Sequence, residues 1–115
     1  MSNFLLELAK TIKSRKKVSA EKSYTSSLLS KGSHECLSKF REESEEFSEA
    51  IKNNSNIVHE SADVIYHFLV TLESREIKII DVIKELEKRK DQSGIEEKKN
   101  RIKWAMIKII FLLKS

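Results

Sequence analysis

The residues best suited to chemistry lie between Lys39 and His67, in KFREESEEFSEAIKNNSNIVHESADVIYH. On a helix, Glu42, Glu43 and Glu46 fall within one turn, and Glu60 and Asp63 fall at i, i+3 with His67 a turn further on. An Asn-rich break separates the two clusters. Such a short break predicts antiparallel neighbouring helices, which lets both clusters meet across one cleft. Four or five carboxylates gathered there repel one another, so they must take up protons or bind cations. All-oxygen ligands favour Mg²⁺ or Mn²⁺ over zinc, and Mg²⁺ keeps waters that substrate phosphates can replace. Either cluster alone also reads as an acidic solvated face, because exposed like charges cost a helix only about 0.2–0.5 kcal/mol per pair. Glu45 and Glu49 are read that way.

The second helix sets a condition on this scheme. Val58, Ala62, Ile65, Leu69 and Leu72 form an apolar stripe. Glu60, Asp63 and His67 sit about 140–200° from it, at about 100° per residue. The stripe is expected to face the core, and the acidic face then points at water or at a partner.

The rest of the chain must position these residues. Residues 3–16 form a short amphipathic helix, and SRKKVSAEK connects it to SYTSSLLSKG. There Ser23 can cap a helix that Gly32 ends. Ser33 is expected to cap a helix over about 34–52, which Asn53 and Asn54 stop, and Asn56 to cap one over about 57–74. Residues 79–90 carry a third apolar stripe, DQSGIEEKKNR reads as polar and loosely held, and helical pattern resumes from about residue 97. The chain has no proline and two glycines, with 35% charged residues. That composition excludes tight hairpins and glycine-rich phosphate loops. The expectation is an all-α compact bundle of four to six helices: one domain over residues 1–101 and an apolar helical tail over 102–115.

One cysteine, Cys36, excludes an internal disulfide and a cysteine-based zinc site, and it reads as a small core residue. No secretory leader is visible, and no apolar run is long enough to span a bilayer, so a cytoplasmic location is expected. The net charge is +4, with basic runs at 13–17, 88–90 and 98–103. These read as solvated faces or as attractors of polyphosphate or nucleic acid. The tail, WAMIKIIFLL, is too apolar around its circumference to stand alone in water. It either packs on the domain or a dimer partner, or lies on a membrane surface through Lys103, Lys108 and Lys114.

Taken together, SYTSSLLSKG, KFREESEE, HESADVIYHFLV, DVIKELEKR and SGIEEKKNR resemble, in order and spacing, the phosphoribosyl-ATP pyrophosphohydrolase family of histidine biosynthesis. That family is related to the MazG-type all-α nucleoside triphosphate pyrophosphohydrolases. The resemblance covers about residues 4–101. It implies Mg²⁺-dependent hydrolysis of phosphoribosyl-ATP, a small-molecule nucleotide substrate, to phosphoribosyl-AMP and pyrophosphate. A homodimer is expected because a chain of short helices with this tail has apolar surface left over. It places metal ligands at Glu43, Glu46, Glu60 and Asp63, with Glu42 a further acidic member. One of Glu42, Glu43 or Glu46 would orient or deprotonate the attacking water. The family's SYT and KG motifs match Ser23, Tyr24, Thr25, Lys31 and Gly32, expected near the phosphates. Lys39 is either a phosphate contact or an i, i+4 partner of Glu43. His67 either hydrogen-bonds Asp63 or Glu60 from behind, or serves packing. Three departures stand out: Arg41 where glycine is common, Glu76 and Lys78 in place of Gly and Ser, and the tail. A related enzyme acting on another nucleoside triphosphate is the alternative. A helical nucleic-acid-binding module is the remaining reading, and no nucleic-acid partner is expected.

Overall fold

The structure, a computed structural model, describes residues 2–90 and 94–114, leaving aside the side chains of Ser2 and Glu97. Asp91, Gln92 and Ser93, part of the segment expected to be loosely held, lie outside the described residues. The architecture is all-α, with no strand among the described residues: α1 (Ser2–Ser14), a 3₁₀ turn (Arg15–Lys17), α2 (Tyr24–Lys31), α3 (Ser33–Asn53), α4 (Ile57–Ser74), α5 (Ile79–Lys90) and α6 (Gly94–Lys114). The chain forms two units, Met1–Ile80 and Asp81–Ser115. The boundary expected at Arg101 falls inside α6, which begins at Gly94 rather than near residue 97.

The first unit is built on the α3/α4 hairpin, against which α1 and α2 pack. Its turn is a device of asparagines. Asn54 and Asn56 both adopt the left-handed conformation, with φ of 52° and 56°. Asparagine tolerates that region because its short amide hydrogen-bonds locally. The Ser55 N–H then donates to the Ala50 carbonyl at 3.1 Å, and the Glu60 N–H to the Asn56 carbonyl at 3.0 Å. The second helix therefore starts at once in an antiparallel return. Asn53 is still helical, and Asn56 occupies the cap position without a side-chain cap bond.

Ile12, Leu28, Cys36, Leu69 and Val70 form the buried centre. Cys36 ties three elements together. Its Sγ donates to the Leu28 carbonyl, and its own carbonyl accepts from Thr71 Oγ1 at 3.2 Å. Burial raises the thiol's pKa, as suits a packing residue rather than a nucleophile.

At the start of α2, Ser23 Oγ accepts from the Ser26 N–H at 3.2 Å, the cap anticipated from sequence. Ser33 is not a cap: α3 begins at Ser33 itself, with Gly32 before it. The reason is the one-residue joint between α2 and α3. Gly32 has φ 92° and ψ 173°, a conformation open essentially to glycine alone, and it leaves no room for a separate capping residue. A Cβ at Gly32 would touch nothing within 4 Å, so its cost lies in the backbone alone. Gly32→Ala should lower unfolding free energy by about 1–3 kcal/mol in a urea titration.

Glu76, where the family commonly carries glycine, also sits at positive φ (58°). Its carboxylate lies 3.9 Å from Lys16, which is 3.5 Å from Glu73. Arg41, the other departure inside the first unit's helices, is exposed.

Candidate metal centre on the helical hairpin

Glu43 and His67 both stand twelve residues from Ser55, one on each arm of the hairpin. Antiparallel helices bring such positions to the same height. Accordingly His67 Nε2 approaches Glu43 Oε1 to 3.9 Å. Nearer the turn, carboxylate oxygens of Glu43, Glu46 and Glu60 come within 4.8 Å of one another. A second group, His59, Glu60 and Asp63, meets the same distance limit. Glu60 belongs to both groups, so the cluster is one continuous run of ligand atoms.

This arrangement turns α4 over relative to the sequence expectation. His67 is only 5% exposed, whereas Val58 is 84% and Ile65 47% exposed. Only Leu69 of the expected stripe is fully buried. At its N-terminal half α4 presents its acidic face to α3 and its apolar stripe outward. Tyr24 and Thr25 of α2 hold the inward face of α4 at Tyr66 and His67. Tyr24 and Tyr66 meet the His67 ring edge-on, at centroid distances of 6.1 and 5.0 Å. Thr25 Oγ1 hydrogen-bonds the Tyr66 hydroxyl.

The electrostatics of the cluster are those of repelling charges in a half-dry place. Burial, reinforced by Glu46, Asp63 and Glu60, pushes Glu43 up to about 6. Burial holds His67 below the ordinary histidine value, leaving it neutral near pH 7 despite the nearby carboxylates. Glu43 Oε2 and Glu60 Oε2 are both buried without a hydrogen-bond partner, as is His67 Nδ1. Unpartnered buried carboxylate oxygens cost free energy unless a cation or proton satisfies them. The donor set, three carboxylates converging from two helices, fits a hard divalent cation.

An open cleft of about 360 Å³ adjoins the cluster through Glu46 and Glu60. Glu45 and Glu49 also line it, and among the described residues no cationic side chain does. Glu49 pairs with Lys52 at 3.6 Å, in keeping with a solvated face.

The other site residues divide. Tyr24 and Thr25 stand against Tyr66 and His67, beside the cluster. Burial raises the Tyr24 phenol and Lys39 partly offsets that rise, so the lysine is close enough to act on the ring. Ser23 is engaged as a cap. Lys31 and Gly32 lie at the far end of α2, about 12 Å away at about 1.5 Å per residue. Lys31 is exposed and forms no ion pair among the described residues.

Glu42 turns away from the three converging carboxylates and pairs with Lys39 at 3.3 Å. The partner of Lys39 is thus Glu42 at i+3 rather than Glu43 at i+4. Glu43 rotates inward toward α4, and that leaves Glu42 on the lysine's side of α3. His67 likewise approaches Glu43 across the hairpin rather than Asp63 or Glu60 on its own helix. Asp63 instead meets His59 Nε2 at 3.3 Å. His59 was missed in the sequence reading, although its i, i+4 spacing to Asp63 was a usable signal.

Residues 5–90 match the family described as phosphoribosyl-ATP pyrophosphohydrolase. The phosphoribosyl-ATP pyrophosphatase of Ruegeria pomeroyi is 46% identical over 103 residues, covering 88% of this chain and 98% of the relative. Its namesake from Paracoccus denitrificans is 44% identical over 99 residues, covering 84% and 92%. That of Vesicomyosocius okutanii is 43% identical over 103 residues, covering 88% and 98%. With a matched span that takes in α2, the hairpin and all of its acidic residues, the chain belongs to the phosphoribosyl-ATP pyrophosphohydrolase family.

Proposed function

We propose that the α3/α4 hairpin is the catalytic centre for hydrolysis of 1-(5-phosphoribosyl)-ATP to 1-(5-phosphoribosyl)-AMP and pyrophosphate, a step of histidine biosynthesis. Family membership supports the substrate. The single observation supporting the site is the convergence of Glu43, Glu46 and Glu60, with two of their oxygens buried and unpartnered. In this reading Glu43, Glu46, Glu60 and Asp63 hold Mg²⁺, or Mn²⁺ in its place. Bound there, the ion supplies positive charge that offsets the negative charge developing on the phosphate oxygens.

The protein's own groups have separable tasks. Glu46 and Glu60 face the open cleft as well as the cluster, so a water entering from the cleft meets a carboxylate able to orient it. Neutral His67, wedged between Tyr24 and Tyr66, backs Glu43 and fixes its direction. Lys39 stands one turn before Glu43 as a phosphate contact, exchanging Glu42 for a substrate oxygen. Lys31 is a second phosphate contact reached only by a substrate that extends along α2. Because the cleft lining holds four carboxylates and no cation, a polyphosphate approaches it only with bound metal.

A homodimer accompanies this reading. Val58, Ala62 and Ile65 form an outward stripe on α4 that needs an apolar cover, and a second copy of the hairpin supplies one. No described helix is long and apolar enough to cross a membrane. The single buried cysteine suits a reducing cytoplasm, where we place the reaction.

The deciding assay measures pyrophosphate release from phosphoribosyl-ATP, with ATP, dCTP and dUTP as competitors for the assignment. Release from phosphoribosyl-ATP should dominate, stop with EDTA and return with Mg²⁺. Faster release from another nucleotide would transfer the assignment to that substrate.

A further inference from the structure

The helix α6 poses a problem that the catalytic reading leaves untouched. The family model's match ends at residue 90, and the longer matches to the three relatives reach into the start of α6 but cover at most 88% of the chain. Trp104 is 70% exposed, Phe111 74%, Leu112 68% and Leu113 82%, and the other large apolar residues of this helix are exposed as well. From Lys98 to Lys114 the sequence has six cations and no acidic residue. The two features point to one kind of cover.

Self-association of α6 would set cations against cations. The apolar groove of the first unit, about 580 Å³, has Lys10, Lys13, Lys16 and Lys78 around it against Glu73 and Glu76, and so also presents excess like charge. Nucleic acid would match the charge but leave the tryptophan, phenylalanine and leucines in water. An anionic lipid surface satisfies both demands. Residues 104–113 rise only about 15 Å, at about 1.5 Å per residue, too little to cross a hydrocarbon core of about 30 Å. They are long enough to embed at the level of the headgroups. Lys103, Lys108 and Lys114 have flexible stems that can return their charges to the phosphates.

We propose that α6 docks the protein on anionic phospholipid bilayers, with Trp104, Ile107 and Phe111, which share one helix face, entering the interface and Lys103, Lys108 and Lys114, which flank that face, pairing with lipid phosphates.

Trp104 is the chain's sole tryptophan, so the full-length protein carries its own reporter. With vesicles containing phosphatidylglycerol, its emission should shift to the blue, become quenchable by brominated acyl chains, and revert in high salt. Pure phosphatidylcholine vesicles should leave it unchanged. The triple variant Lys103→Gln, Lys108→Gln, Lys114→Gln should weaken partitioning about a hundredfold, at about fivefold per lysine near an anionic surface. The double variant Ile107→Glu, Phe111→Glu should abolish the shift while far-ultraviolet circular dichroism stays that of the parent. Equal partitioning to neutral vesicles would overturn the proposal. So would a blue emission that follows protein concentration without lipid, which marks a second copy as the cover. A shift with duplex DNA and none with vesicles would overturn it too.

Discussion

Glu60→Gln is expected to reduce Mg²⁺-dependent pyrophosphate release by about 10²–10³-fold, the range seen when one charge-stabilising group is removed from a preorganised site. Glu60 is the residue of choice because its carboxylate belongs to both groups of converging ligand atoms. The same variant should melt higher than the parent in EDTA. Its amide keeps the shape of the side chain while removing one of the charges that push Glu43 up to about 6. Loss of turnover together with gain of ion-free stability identifies a ligand held against repulsion. A purely structural glutamate would lose both. Asp63→Asn should also lose turnover, and it frees His59, whose Nε2 lies 3.3 Å from the Asp63 carboxylate. Parent-like turnover in the Glu60→Gln, Asp63→Asn double variant would displace the centre from the hairpin.

The second large effect is a dependence of metal-induced stabilisation on pH. Glu43 titrates near 6 in the folded protein, against an ordinary value of 4.5. Between those values the folded state holds more protons than the unfolded one. Ion-free stability attributable to this group is therefore greatest below about pH 4.5 and falls as pH rises through about 6. Magnesium reverses the sense, since it binds the deprotonated carboxylate and only in the folded arrangement. The difference in Tm between Mg²⁺ and EDTA should be small at pH 5 and widen to a plateau above about pH 7, as Glu43 finishes ionising. At a Mg²⁺ concentration of about a hundred times Kd, the stabilisation would be about 2.7 kcal/mol. A difference in Tm that does not change across this range would remove Glu43 from the ligand set.

Both predictions rest on which way α4 faces, and there sequence and structure part company. Val58, Ala62, Ile65, Leu69 and Leu72 form a genuine stripe, yet only its Leu69 end is buried. An apolar periodicity reports that a face seeks cover without saying whose. Glu60 and His67 face inward even though α3 sets Glu43 and Glu46 opposite them, with Tyr24 of α2 packed on the histidine ring beside Tyr66. Tyr66 shares the helix, but Glu43, Glu46 and Tyr24 are 14 or more residues from Glu60.

Local signals had a different fate. The asparagines at 54 and 56, the serine at 23 and the glycine at 32 act within four or five residues of themselves, and their effects on helix ends were readable before any coordinates. The extent of α4 followed from Asn56 and its apolar pattern, and that of α5 from its apolar stripe. The ExxE and ExxD spacings likewise specified which carboxylates share a helical turn. Their order in the chain carried the family resemblance.

What the sequence determined by itself, then, is the all-α architecture, the hairpin and the supply of carboxylates on its two arms, all products of short-range backbone preference and 3.6-residue periodicity. The tertiary structure alone decided that Glu43 points toward α4 while Glu42 turns to Lys39, that His59 joins Asp63, and that Glu60 sits in both groups of ligand atoms. Rotation of a helix about its own axis costs nothing locally. It is settled by the side chains of distant segments that must be packed against it or kept from repelling one another.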